Sequence, residues 1–80
     1  MLELLRTTKK VVGIKQALKA LENNSVSHVF IADDADERLL RNVKEMCKIK
    51  SVELIPVESM KALGKACGIE VGSAVACVLK

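Results

Sequence analysis

The residues best suited to chemistry lie where a short apolar pair meets a predicted helix. Lys15, Gln16 and Lys19 fall on the outer side of that helix, within a turn of one another and beside its amino terminus. Unpaired amide N–H groups and the helix dipole favour an anion at such an end. With two ammonium groups and a carboxamide alongside, the pattern predicts a phosphate site next to a group read by hydrogen bonds. The alternative interpretation is an ordinary solvated helix face.

The distribution of charge favours the binding interpretation. Residues 1–21 hold five basic side chains against one acidic, and residues 22–80 hold eight against nine. The segment charges of +4 and −1 account for the +3 of the whole chain. A basic patch confined to one segment of an otherwise balanced chain is typical of a protein that binds a polyanion.

The composition limits the classes of fold and site. Eighty residues predict one domain with an aliphatic core, because Phe30 is the only aromatic residue. The chain therefore lacks a set of aromatic side chains on which unpaired bases could stack, and this argues against single-strand recognition by an RRM or an OB-fold. The three cysteines form no Cys-x-x-Cys pair, and His28 lies far from them, so we expect free thiols and neither metal nor cofactor. Without a secretory signal pattern or a run of roughly 18 apolar residues, we expect a cytoplasmic protein without membrane segments.

Hydrophobic periodicity and turn residues predict alternating helices and strands. Short connections between them predict an α/β single domain, a three-layer α/β/α sandwich with a small mixed sheet of undetermined strand order. The predicted helices cover 2–7, 14–23, about 37–50 and 60–67, and the predicted strands cover 10–13, 26–32, 52–57 and 74–79. Leu39, Leu40 and Met60 are expected to face the core, and Ser59 and Gly68 to cap one helix.

Other chemical motifs are weak. The acidic turn around Asp34 and Asp36 suggests magnesium binding, but acidic residues that cap a helix explain it better. The Gly64-Lys65 pair lacks the upstream glycine and the following hydroxyl of a phosphate-binding P-loop. Neither Ser73 nor His28 has an evident partner for catalysis, so we do not expect an enzyme.

Several segments resemble a known family. The order of elements and the segments Gly13–Lys19, Ala32–Asp36 and Val57–Ile69 are similar to the ribosomal protein L7Ae/L30e family, especially its short bacterial branch. The most specific segment is Leu-Gly-Lys-Ala-Cys-Gly-Ile at Leu63–Ile69. The resemblance covers nearly the whole chain. It implies one domain over residues 1–80 that binds kink-turn RNA, a duplex sharply bent by a three-nucleotide bulge beside tandem sheared G·A pairs.

The resemblance also implies where the RNA is bound. The family's contact motif, Gly-x-Asn-Glu-x-x-Lys, corresponds here to Gly13, Ile14, Lys15, Gln16 and Lys19, with Lys15 and Gln16 in place of Asn and Glu. This departure looks like the bacterial branch's own version. Gly13 would let backbone approach backbone, and a carboxamide can meet a guanine edge as donor and acceptor.

Two further contacts are implied by the same family. An apolar loop that covers the bulged nucleotides falls at Ile69, Glu70 and Val71, and a flipped-out base would lie near Asp36 and Leu40. The start of the first long helix and the 69–71 loop must then share one surface. The target, whether ribosomal RNA, a riboswitch or another kink-turn, is left open. We expect a monomer that does not bind DNA.

Two other functions remain open from the sequence. The apolar 69–71 loop could instead dock a partner protein, which would make the chain a protein-interaction module. An α/β domain could also bind a nucleotide or another small molecule, although no glycine-rich fingerprint supports this.

Overall fold

The computed structural model describes Leu5 and residues 9–80, so most of the helix predicted over 2–7 lies outside the described residues. In the described part, strands and helices alternate as the sequence predicts. Their bounds are β1 (Lys10–Val12), α1 (Ile14–Glu22), β2 (Val26–Ala32), α2 (Glu37–Lys50), β3 (Glu53–Val57), α3 (Met60–Ala66) and β4 (Val75–Leu79).

The four strands form one mixed sheet in the order β1-β4-β2-β3. β2 pairs with β3 in parallel, whereas β4 is antiparallel to both β1 and β2. β1, β2 and β3 therefore run in the same direction, and each is followed by a helix. All three helices consequently begin at one end of the sheet, where β4 also begins. We call it the helix-start end, and Ile14, Glu37, Met60 and Val75 mark it as the first residues of α1, α2, α3 and β4.

The helices cover the sheet in two layers, which confirms the α/β/α sandwich. α1 and α2 pack against each other, and α3 packs on β2, β3 and β4. Leu5 is fully buried beside the end of α3 at Ala66 and Cys67. The central strands β2 and β4 are buried almost throughout, as long apolar segments predict.

The core is aliphatic around one aromatic ring, as the composition predicts. Its largest fully buried side chains come from both layers and the central strands. They are Phe30, Leu5, Leu21, Leu40, Leu63, Val29, Val43, Val75 and Cys77.

Several local signals are confirmed. The Ser59 hydroxyl accepts a hydrogen bond from Ala62 N–H at 3.0 Å and caps α3. Asn24 ends α1 with a φ of 57°, and Gly68 follows α3 with a φ of 79°, both in the left-handed region. Pro56 lies on β3, which is an edge strand, so its missing N–H costs the sheet no ladder bond.

Two predicted core positions are wrong. Leu39 is 54% exposed because Leu40, Val43 and Cys47 form the buried stripe of α2, and Leu39 lies beside that stripe. Met60 is 37% exposed because it is the first residue of α3, at the helix-start end and outside the buried pair Leu63 and Gly64 of that helix. Both departures place apolar side chains on the same end of the molecule.

Candidate nucleic-acid interface

Hydrogen bonds join the helix-start end to the segment that precedes β4. Gly13 N–H donates to the Val75 carbonyl at 3.0 Å, which fixes the start of α1 beside the start of β4. Ser73 N–H donates to the Met60 carbonyl at 3.0 Å, which fixes the same segment to the start of α3. The start of α1 and the chain that follows the 69–71 loop are therefore held at one end of the sheet.

α1 presents the basic and amide groups that the sequence singled out. Lys15, Gln16 and Lys19 are all exposed, whereas Ile14 is partly buried and packs on the core. Among the residues that the structure describes, no side chain caps the amide groups of the first turn, and that turn carries no acidic residue. The amino terminus of α1 thus keeps the partial positive charge that favours an anion.

Gly13 determines the shape of this helix start. Its φ of 111° is a conformation that L-residues rarely adopt. A Cβ at this position would lie 2.8 Å from Oε1 of Gln16. The glycine therefore leaves room for the Gln16 carboxamide to lie against the backbone at the helix start.

A shallow groove of about 240 Å³ runs along α1 beside the sheet. Gln16 and Lys19 form its polar side, and apolar residues form most of the rest. The lining consists of Val11, Gln16, Lys19, Ala20, Asn23, Ser25 and Leu79. Lys19 lies about one turn farther along α1 than Gln16, in the last turn of the helix, and lines the same groove.

The 69–71 loop is exposed but firmly held. Ile69 N–H donates to the Gly64 carbonyl at 3.0 Å, so the loop leaves α3 through a closed turn. The Ser73 hydroxyl is buried and donates to the Val75 carbonyl at 2.7 Å, which fixes the other end of the loop. Between these anchors, Val71 is 71% exposed and Ile69 is 37% exposed, and Glu70 is exposed too. Two aliphatic side chains thus project into solvent from a fixed backbone.

The acidic turn makes hydrogen bonds to the starts of two helices. Asp36 caps α2 by accepting from Arg38 N–H at 2.9 Å, and the Arg38 guanidinium donates to the same carboxylate. The Arg38 side chain first, and then its backbone N–H, hold the pKa of the Asp36 carboxyl below its usual value. Asp34 Oδ1 accepts from Met60 N–H at 2.8 Å and so joins this turn to α3. Within the described residues, no group of His, Cys, Asp and Glu could hold a metal ion.

The structure places Leu40, one of the predicted contact residues, in the core. Its side chain is 2% exposed and belongs to the core, so in the folded protein it supports α2 rather than offering a surface to a base. Asp36 remains exposed at the start of α2, and its neighbour at that end is the exposed Leu39. The predicted pair is thus divided between surface and core.

The structure also identifies residues that sequence reasoning missed. Gly64 allows the close approach of the loop to α3, Asp34 joins the acidic turn to the start of α3, and the Ser73 hydroxyl fixes the chain after the loop to the start of β4. A glycine in the middle of a predicted helix was a signal for Gly64, because it opposes helix propensity. The role of Asp34 depends on a contact with Met60, which is distant in sequence, so no local pattern shows it.

The cysteines take no part in this end of the molecule. Cys47, Cys67 and Cys77 are free and buried, as predicted. Burial raises the pKa of the Cys47 and Cys67 thiols, and burial with the nearby Cys47 raises the pKa of Cys77 to about 12. Thiols in this state are protonated at neutral pH and react slowly. In the described part of the chain, each helix is too short or too polar to cross a bilayer.

The fold and this end of the molecule define a class of small α/β/α proteins in which a basic helix start adjoins the segment that leads from an apolar loop into the last strand. The chain belongs to the ribosomal protein L7Ae/L30e/S12e/Gadd45 family, whose model matches residues 1–80.

Relatives and solved structures agree with this membership. A protein named as an RNA-binding protein in Halalkalibacterium halodurans is 48% identical over 75 residues, which cover 94% of this chain and 92% of that protein. The large ribosomal subunit protein eL8 of Halobacterium salinarum is 38% identical over 80 residues, covering 98% of this chain and 67% of that protein. The structure of the Giardia lamblia 15.5kD RNA binding protein matches with a TM-score of 0.91 at 30% identity, covering 99% of this chain and 70% of that one.

Proposed function

We propose that this protein is a non-catalytic RNA-binding protein that recognises kink-turn RNA and stabilises its bent form. One observation carries the proposal: the basic start of α1 and the segment that follows the fixed apolar loop at 69–71 are held at the same end of the molecule. Relatives and a solved structure of the family that carry RNA-binding names support it.

The start of α1 and the 69–71 loop would contact different parts of the RNA, because one is basic and the other is apolar. A kink brings the phosphates of two helical arms together, so counter-charge from Lys15 and Lys19 lowers their repulsion. The amide N–H groups at the start of α1 can donate hydrogen bonds to a phosphate, and the Gln16 carboxamide can read the edge of a sheared G·A pair. Ile69 and Val71 can cover extruded bases, which an aliphatic surface does by excluding water.

The protein would act by selection from the RNA ensemble. Free RNA of this kind exchanges between extended and bent forms, and a protein that contacts only the bent form shifts the population toward it. No group of the protein needs to react, and no cofactor is required. The proposal includes a monomeric, cytoplasmic protein that prefers RNA to DNA, since the A-form geometry and the 2′-hydroxyl distinguish the two. The ribosomal name of one relative makes ribosomal RNA one candidate target.

Calorimetry with two RNA duplexes tests the proposal. One duplex carries the bulge and the tandem G·A pairs, and in the other Watson–Crick pairs replace the G·A pairs. We expect tight binding to the first and weak, salt-sensitive binding to the second, because only general phosphate contacts remain there. Equal affinity for both duplexes would refute recognition of the kink.

The exposure of Val71 favours one second candidate, a protein-interaction module. An apolar side chain that projects from a fixed loop is also suited to a partner protein. A complex captured from cells that survives nuclease treatment and is lost on substitution of Val71 would favour this candidate over RNA.

A further inference from the structure

α3 contains a glycine where a helix disfavours one. Gly64 lies in the middle of the seven-residue helix Met60–Ala66, and it is buried. Among residues other than proline, glycine is the least favourable in a helix interior. Its backbone angles in this helix are open to any residue, since its φ is not among the positive values. The requirement for glycine must therefore come from what lies against it.

The backbone of the apolar loop lies directly against Gly64. A Cβ at this position would fall well inside the contact distance of the Val71 carbonyl oxygen, and it would lie 3.1 Å from the Cα of Gly72. The opposing atoms belong to backbone, so no side-chain rotation can relieve the contact. Any side chain at position 64 would have to push the loop away from α3.

A second contact shows that the loop rests on α3 over its length. A Cβ on Gly72 would lie 3.1 Å from the Cβ of Met60, and Ser73 N–H donates to the Met60 carbonyl. Together with the hydrogen bond from Ile69 to Gly64, these contacts fix both ends and the middle of the loop. The outer side of α3 is thus the support on which the 69–71 loop lies.

We propose that Gly64 is a positioning residue for RNA recognition. It touches no RNA. By lacking a side chain, it sets the distance between α3 and the loop, and so determines where Ile69 and Val71 meet the extruded bases. This inference rests on the proposed kink-turn function, and it assigns the position of the loop to a residue buried beneath it.

Binding measurements on Gly64→Ala test the assignment, with Gly68→Asn as the matched control. Gly68 belongs to the same turn, but a Cβ there meets no atom of the described residues within 4 Å, and asparagine tolerates its positive φ. We expect Gly64→Ala to weaken kink-turn binding about tenfold or more, equivalent to about 1.4 kcal/mol. The slope of log affinity against log salt should not change, because Lys15 and Lys19 remain in place. Gly68→Asn should bind as the wild type does.

A double-mutant cycle with Val71→Ala separates positioning from general damage. If Gly64 acts through the loop, Gly64→Ala should cost clearly less in the Val71→Ala protein than in the wild type, since the misplaced side chain is already shortened. Fully additive losses would overturn the inference. If Gly64→Ala does not fold, Gly72→Ala carries the same cycle, with a smaller expected loss of about threefold because its contact is looser.

Binding of the two duplexes by the wild-type protein shows whether the proposed function or only the positioning role of Gly64 has failed. A wild type that binds the kink-turn and the Watson–Crick duplex equally overturns the proposed function, and the positioning role with it. A wild type that discriminates between them, beside a folded Gly64→Ala protein with unchanged affinity, overturns the positioning role alone.

Discussion

Truncating Val71 to alanine should weaken RNA binding without destabilising the protein. Val71 is 71% exposed, so most of its surface is available to a ligand and little of it supports the fold. Val71→Ala removes two carbons worth about 0.8 kcal/mol each when fully buried, and the exposed share gives about 1.1 kcal/mol. That free energy corresponds to about a sixfold loss of affinity.

The matched control lies elsewhere on the surface. Ile49 is 74% exposed near the last turn of α2, whereas the helix-start end lies beyond the first turn of that helix. Fourteen residues of helix separate the two ends by roughly 20 Å. Ile49→Ala should therefore leave RNA affinity unchanged. Both variants should unfold within about 0.5 kcal/mol of the wild type, as exposed positions usually do.

Calorimetry or fluorescence anisotropy with kink-turn RNA measures the affinities, and denaturant unfolding measures the stabilities. An affinity of Val71→Ala within twofold of the wild type would remove the loop from the interface. The same would follow if Ile49→Ala lost as much affinity as Val71→Ala, because the loss would then reflect general surface change.

Three further measurements test separate parts of the account. Lys19→Ala should reduce the slope of log affinity against log salt by about 0.9, and an unchanged slope would exclude a phosphate contact. Above the usual aspartate pKa of 3.8, the Asp36 carboxylate contributes its full stabilisation to the fold. This contribution is lost as the pH falls through the lowered pKa of Asp36 in the folded protein. In an acid titration, Asp36→Asn should therefore lose less of its free energy of unfolding than the wild type does. At pH 8, iodoacetamide should label Cys77 only after unfolding, so rapid labelling of the folded protein would refute its burial.

The fold was predictable because each element carries its own signal. Buried strands appear as apolar segments, and caps such as Ser59 and Asn24 mark where helices begin and end. The alternation of elements predicts the layers but not the order β1-β4-β2-β3, because pairing depends on contacts distant in sequence. Leu39 shows the limit of periodicity, since a residue beside the buried stripe can face either way.

The candidate site was predictable only in its parts. Exposure of Lys15, Gln16 and Lys19 follows from helical spacing, and so does the place of Lys15 and Gln16 in the first turn of α1. Their relation to the 69–71 loop does not follow from spacing, since it depends on the hydrogen bond between Gly13 and Val75. Leu40 also needed the structure, because a leucine near a helix start can serve either the core or a ligand.

The strand directions explain why one end of the molecule can combine two kinds of contact. Because β1, β2 and β3 run the same way, the starts of α1, α2 and α3 meet at one end. Acidic residues cap α2 and join its turn to α3, which leaves α1 as the helix whose positive end is uncapped. The chain that follows the apolar loop returns to the same end, where β4 begins. Salt should therefore weaken the contribution of α1 and spare that of the loop, so high salt isolates the loop's share of the affinity.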